Sequence, residues 1–138
     1  MIKFLKYLFV TFALTSCLSP SDKIKDVILY QDSIGYWNYE WPRERADFYG
    51  FTFKFGKDGS ISKYSFDKIE DRRTLFSDYG IEPRLKWGVA NDSIFTIMNY
   101  NSQIKIMRYN KNTIWMYDKE RKRSTMLIKV KGDLNIEK

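Results

Sequence analysis

The chain has 138 residues, with 24 basic against 17 acidic side chains, 17% aromatics, one cysteine and no histidine. Lack of histidine removes Ser-His-Asp and Cys-His nucleophiles and imidazole metal ligands, and a single cysteine cannot form an intrachain disulfide. The length suits one domain whose core needs no covalent staples.

The first stretch, MIKFLKYLFVTFALTSC, has a basic head (Lys3, Lys6), an apolar run from Tyr7 to Leu14, and then the small residues Thr15 and Ser16 before Cys17. This is the three-part build of a secretory signal peptide. The run is too short for a membrane-spanning helix, which needs about 20 residues. Leu14-Thr15-Ser16-Cys17 resembles the bacterial lipobox. That resemblance implies a diacylglycerol thioether on Cys17 and removal of residues 1–16, with acyl chains anchoring the protein at about 0.8 kcal/mol per buried methylene. The expected location is the cell envelope, at the outer membrane of a Gram-negative bacterium. Loss of Lys3 and Lys6 leaves 22 basic against 17 acidic side chains, a net +5. A basic balance can signal nucleic acid, but an exported chain has none to meet; anionic lipid headgroups or acidic polysaccharide are the better partners for that charge, and codon bias toward Lys, Ile, Asn and Tyr accounts for it without a partner.

Residues 17–32 hold the cysteine, a polar tether (LSPSD) and KIKDVILYQDS, where Ile24, Val27, Ile28 and Gln31 fall at helical spacing behind Asp22 as a cap. VILY reads equally as a strand. From Ser33 the chain alternates. IGYWNYEW is an aromatic strand ending at Pro42, and YGFTFKF-GKDG-SISKYSF is the best hairpin, with Gly56 and Gly59 free to take positive φ in the turn. DKIEDRRTLFSDYGIEP is irregular, with a weak strand or short helix over 69–76. RLKWGV, SIFTIMN, SQIKIMRY, NTIWMYD and STMLIKV complete a series of about eight strands joined by short polar links. The tail, 134–138, reads as loose. Evenly spaced strands in consecutive hairpins predict an all-β fold over residues 33–133. The expected form is an eight-stranded antiparallel meander closed into a barrel, with or without a short N-terminal helix. Inward candidates are Phe51, Phe53, Phe55, Leu85, Trp87, Ile94, Ile104, Ile106, Ile114, Met116, Met126 and Ile128.

Four short motifs in order carry a family resemblance. Ile34-Gly35-Tyr36-Trp37 resembles the G-x-W that opens lipocalins. FTFKFGKDG (51–59), WGVANDSI (87–94) and YNKNTIWM (109–116) resemble the hairpins of small lipocalin-like lipoproteins of Bacteroidetes type. The resemblance implies a lipocalin-like barrel over roughly residues 33–130. It departs from classical lipocalins in having no helix after the last strand.

Chemistry-bearing clusters are few. The carboxylate pairs Glu40/Glu44, Asp67/Glu70 and Asp118/Glu120 each lie beside Lys or Arg in turns or loops, which makes them surface charge. No phosphate loop, metal loop or catalytic constellation is present, so no cofactor, no metal and no enzymatic activity are expected. An eight-stranded barrel either fills itself or holds one small ligand. Two binding readings follow. One is a small apolar ligand at the barrel mouth, met by the adaptable methionines Met98, Met107 and Met116. The other is an envelope protein partner, as for an inhibitor or immunity lipoprotein, met by Trp37, Tyr39, Trp41, Arg43 and Arg45, residue types enriched at interaction hot spots. Trp37 is expected chiefly to plug the closed end of the barrel. A monomer attached to the membrane through Cys17 is the expected state.

Overall fold

Backbone pairing follows the two-residue rhythm of the apolar side chains. The computed structural model describes residues 18–30, 35–41, 48–77, 84–97, 102–132 and 134–137. One helix, α1 (Pro20–Leu29), precedes ten strands: β1 (Tyr36–Glu40), β2 (Tyr49–Phe55), β3 (Ser60–Asp67), β4 (Arg72–Leu75), β5 (Leu85–Ala90), β6 (Ile94–Ile97), β7 (Ser102–Tyr109), β8 (Thr113–Asp118), β9 (Arg123–Lys129) and β10 (Ile136–Glu137). Cys17, Arg43, Arg45 and Met98 lie outside the described residues.

Eight strands close a barrel in the order β3-β2-β1-β9-β8-β7-β6-β5, with β5 returning to β3. All its pairings are antiparallel, and β1 meets β9 from Trp37↔Lys129 to Glu40↔Met126. This is the meander barrel of lipocalin-like architecture that the strand spacing predicts. One departure positions the site. The strand β3 forks: its first residues, Ser60 and Ile61, pair with Lys86 and Leu85 of β5, while Tyr64–Asp67 pair with β4 instead. The barrel is therefore closed at one end and splayed at the other. The uncertain segment at 69–76 resolves as the strand β4. The tail is not loose throughout: Ile136 and Glu137 pair parallel to Arg73 and Thr74, and the Arg73 amide donates to the Asn135 carbonyl.

The closed end is packed tight. α1 presses the buried Ile24 and Ile28 against it. The indole of Trp37, fully buried, donates Nε1–H to the Ile28 carbonyl at 2.9 Å and meets the Tyr30 ring edge-on. Such an aromatic combines large apolar burial with one directed polar contact. The helix starts earlier than the sequence suggests. Ser19 is the cap, its Oγ accepting from the Asp22 amide at 3.1 Å and donating to the Asp22 carboxylate at 2.7 Å, and Pro20 opens the first turn. Asp22 is thus inside the helix, and most of the expected tether is helical.

Above the plug, Phe53, Phe55, Ile61, Leu85, Trp87, Phe95, Ile104, Ile106, Ile114, Met116 and Leu127 fill the interior. Three inward expectations are corrected. Ile94 is half-buried, with Phe95 and Ile97 facing the core; Met126 and Ile128 face out, with Leu127 and Thr125 facing in. Both strands carry apolar residues on consecutive positions, so alternation alone does not choose the face. Pairing with β8, which sets Ile114 against Leu127 and Met116 against Thr125, chooses it. In the 56–59 turn only Gly59 takes positive φ, at +80°. Gly56 is needed for room, because a Cβ there would collide with the Asp58 carboxylate and the Ser60 hydroxyl.

Candidate site at the splayed barrel mouth

Where β4 leaves the barrel wall, the inner face opens into a cavity of about 600 Å³ lined mainly by Trp41, Phe51, Phe76, Tyr49, Asp67 and Arg72. Alternation explains the lining. Register sets Phe51 against Ser65, Tyr49 against Asp67, Ser65 against Thr74 and Asp67 against Arg72, so these side chains share one face. Trp41 extends the inward row of β1 after Trp37 and Tyr39. Its ring stacks on Phe51 at 6.0 Å, and Phe51 meets Phe76 edge-on at 6.2 Å. Aromatics run on inward from there: Tyr39 touches Trp41 and Phe53, and Phe55 touches Trp87 and Phe95. The wall is apolar, with Asp67, Arg72, Ser65 and Thr74 as its polar margin.

Lys63 and Asp118 both bring charge to the inward face. Lys63 lies opposite Phe53, and its ammonium sits 4.0 Å from the centroids of both Phe51 and Phe76. Burial lowers its pKa below the ordinary lysine value. The ring faces offset part of that desolvation. Asp118 ends the inward row of β8 and is 1% exposed. Burial pushes its pKa up, but the backbone N–H of Arg121 and then its guanidinium outweigh that, holding the carboxyl below the usual range.

The far side of the same wall is clasped by Arg73, which is 3% exposed. Its Nε donates to Thr52 Oγ1 at 3.0 Å, and two other nitrogens reach Asp71 and Asn38. The guanidinium lies 3.8 Å above the Phe66 ring. One side chain thereby crosses from β4 over β3 to β2 and β1, and fixes the strand that carries Arg72, Thr74 and Phe76. Nearby, Lys68 crosses β2 at Gly50 to donate to Glu40 at 2.6 Å; a Cβ at Gly50 would lie 3.1 Å from the lysine stem.

Of the described residues expected from sequence to bind a ligand or partner, only Trp41 lines the cavity, and Tyr39 touches it from below. Trp37 belongs to the closed-end plug, bonded to Ile28 and against Tyr30. Met116 is core filler, 2% exposed. Met107 is the clearest reversal. Next to the inward Ile106 it points outward by alternation, 59% exposed, and a register shift between Ile106 and Arg108 brings Arg108 to the same outer face, its guanidinium 4.1 Å above the Trp115 ring. Ser65, Arg72, Thr74 and Phe76 are absent from the sequence candidates. For Arg72, Thr74 and Phe76 the only signal is the short alternation in RRTLF, obscured by flanking charges.

Among the described residues no group of three or more acidic, cysteine or histidine side chains could hold a metal, and no helix is long and apolar enough to cross a membrane. No family model, no curated protein and no solved structure matches this chain.

Proposed function

We propose that this chain is a non-catalytic binding module of the bacterial cell envelope, lipid-anchored through Cys17, that takes a small apolar ligand at the mouth of its barrel. The observation that carries this reading is the aromatic cavity of about 600 Å³ beside Trp41, Phe51 and Phe76. Its size falls within the range of about 300–1,000 Å³ usual for small-molecule sites, and an apolar wall with a few polar groups is their usual composition. The packed closed end leaves the mouth as the place for a ligand. The alternative, a protein partner held by the 37–45 segment, has less support, because Trp37, Tyr39 and Trp41 all turn inward. The outward pair Arg108–Trp115, next to the exposed Met107, is the surface that favours it instead.

The neutral fluorescent probe N-phenyl-1-naphthylamine tests the ligand reading. Saturable, one-site binding is expected, weakened about tenfold by Trp41→Ala, which corresponds to about 1.4 kcal/mol of lost apolar contact. Binding that does not saturate, or that Trp41→Ala leaves unchanged, contradicts it. The anchor rests on the residue order of 1–17 and is tested separately. Wild type is expected to enter the detergent phase on partitioning and Cys17→Ser the aqueous phase; detergent partitioning by Cys17→Ser removes the anchor.

A further inference from the structure

The start of α1 is pinned to the closed end of the barrel. Ile24 and Ile28 are buried there, and the Trp37 indole donates to the Ile28 carbonyl. The Ser19 carbonyl accepts from the Lys23 amide at 3.1 Å, and Ser21 Oγ donates to the Asp92 carboxylate at 3.2 Å. Asp92 sits in the turn between β5 and β6. That hairpin runs on past the β2–β3 turn: Lys86 pairs with Ser60, the Trp87 amide donates to the Gly59 carbonyl, and Gly88 to Ala90 pair only with β6. Leu18, an exposed apolar side chain, leads into this end and is the single residue between Cys17 and the cap. The polar stretch expected to be a tether is therefore helix, and the stem from Cys17 to Ser19 spans at most about 7 Å.

The mouth lies at the other end. Lys129 of β9 pairs with Trp37 at the plug, and the strand starts at Arg123 by the mouth, a separation of roughly 20 Å at the usual strand rise. The β8–β9 turn at that far end carries Lys119, Arg121 and Lys122, all exposed, which anionic headgroups attract. Charge and stem thus favour opposite orientations. Bringing that basic turn down to the bilayer with the mouth foremost would lift the closed end by the length of the barrel, well beyond the reach of the stem. The stem decides, because acyl chains hold Cys17 at the bilayer and the next residue but one is already fixed to the barrel.

We propose that the closed end, from Leu18 to the Asp92 turn, is the face this protein sets against the lipid surface, and that its mouth opens away from the membrane, toward the aqueous side. This rests on the lipid anchor proposed above and not on the identity of any ligand. Acylation consumes the Cys17 thiol, so a cysteine introduced elsewhere is the sole thiol open to labelling. Ala90→Cys at the end of β5 and Glu120→Cys in the β8–β9 turn both replace exposed residues. Each acylated full chain is labelled with bimane and bound to phosphatidylethanolamine–phosphatidylglycerol vesicles whose headgroups carry a nitroxide quencher. Quenching of the Ala90 label is expected to be several times that of the Glu120 label. Ten Gly-Ser residues inserted after Leu18, a coil of about 17 Å, are expected to narrow the difference by letting the basic turn approach the anionic surface. Equal quenching of the two labels, or stronger quenching of the Glu120 label, in protein without the insertion that co-floats with the vesicles overturns the orientation and leaves the anchor standing. A difference that the insertion leaves unchanged overturns the short stem as its cause. Failure of the wild-type chain to co-float removes both the anchor and the orientation.

Discussion

Trp37→Ala is expected to lower the unfolding free energy by about 3–5 kcal/mol, the range for truncating a large buried aromatic. Three contributions are lost together. The fully buried indole leaves a void at the closed end, beneath Phe53. The Ile28 carbonyl loses its donor, and Tyr30 loses the ring it meets at 5.5 Å. The helix α1 then keeps Ile24 and Ile28, the partly buried Val27 and Leu29, and the exposed Ser21–Asp92 hydrogen bond to hold it against the barrel. Trp37→Phe separates these effects. It retains most of the apolar volume but strands the carbonyl, and a smaller loss of about 1–2 kcal/mol is expected. Equilibrium urea denaturation of the two variants checks the prediction. For a domain whose total stability is of order 5–15 kcal/mol, the alanine variant would stand close to unfolding. A loss below about 1 kcal/mol for Trp37→Ala would mean that the helix is not the plug described.

The second large effect is at Arg73, where Arg73→Ala is expected to cost about 3 kcal/mol and Arg73→Met about 1 kcal/mol. The difference comes from what each substitution leaves behind. Thr52 keeps Asn38 as its partner at 2.7 Å, and Asp71 is mostly solvated at 77% side-chain exposure, so neither is left buried and alone. Methionine can still cover the Phe66 ring that the guanidinium covers now. Alanine uncovers the ring and releases β4 from β2 and β1. Because β4 carries Arg72 and Thr74 on its opposite face and leads directly into Phe76, Arg73→Ala is also expected to weaken probe binding at the mouth, although Arg73 faces away from the cavity. Denaturation and probe titration on the same two variants check both halves. Equal stability losses for alanine and methionine would place the effect in the charge rather than in the clasp.

The closed part of this barrel was legible from the residues because its strands alternate cleanly. In YGFTFKF and RLKWGV, one face is aromatic or branched and the other polar, so period and face are both fixed. Trp37 could be read as a plug from its position at the start of the first strand. Strands apolar on both faces were not legible: in TMLI the choice between Leu127 and its neighbours depends on register against β8, a long-range fact. Met107 faces out by alternation with the inward Ile104 and Ile106, whereas Arg108, which the same alternation would turn in, shows a different limit. A bulge shifts every later residue of the strand by one, and SQIKIMRY carries no glycine or proline to mark it. The mouth was hardest to read. Its wall is made by a fork in β3, where Ile61 pairs with one strand and Tyr64 with another, and by Arg73, whose neighbours in sequence are all charged or polar except Leu75 and Phe76. Charged residues in a short segment read as a solvated loop. Only tertiary pairing shows that one of them is buried and that those on either side of it face a cavity.

The four tryptophans report most directly on the mouth as the binding site, through their indole N–H signals in a 1H–15N correlation spectrum titrated with N-phenyl-1-naphthylamine. Trp37 and Trp87 donate to the carbonyls of Ile28 and Gly56 at the packed end, Trp115 lies on the outside under Arg108, and Trp41 lines the mouth with its N–H unpartnered. Saturable movement of the Trp41 signal, with the other three nearly still, is the predicted result. A Trp41 signal that stays in place while the Trp115 signal moves would put the binding surface on the outer face and contradict the mouth as the functional site.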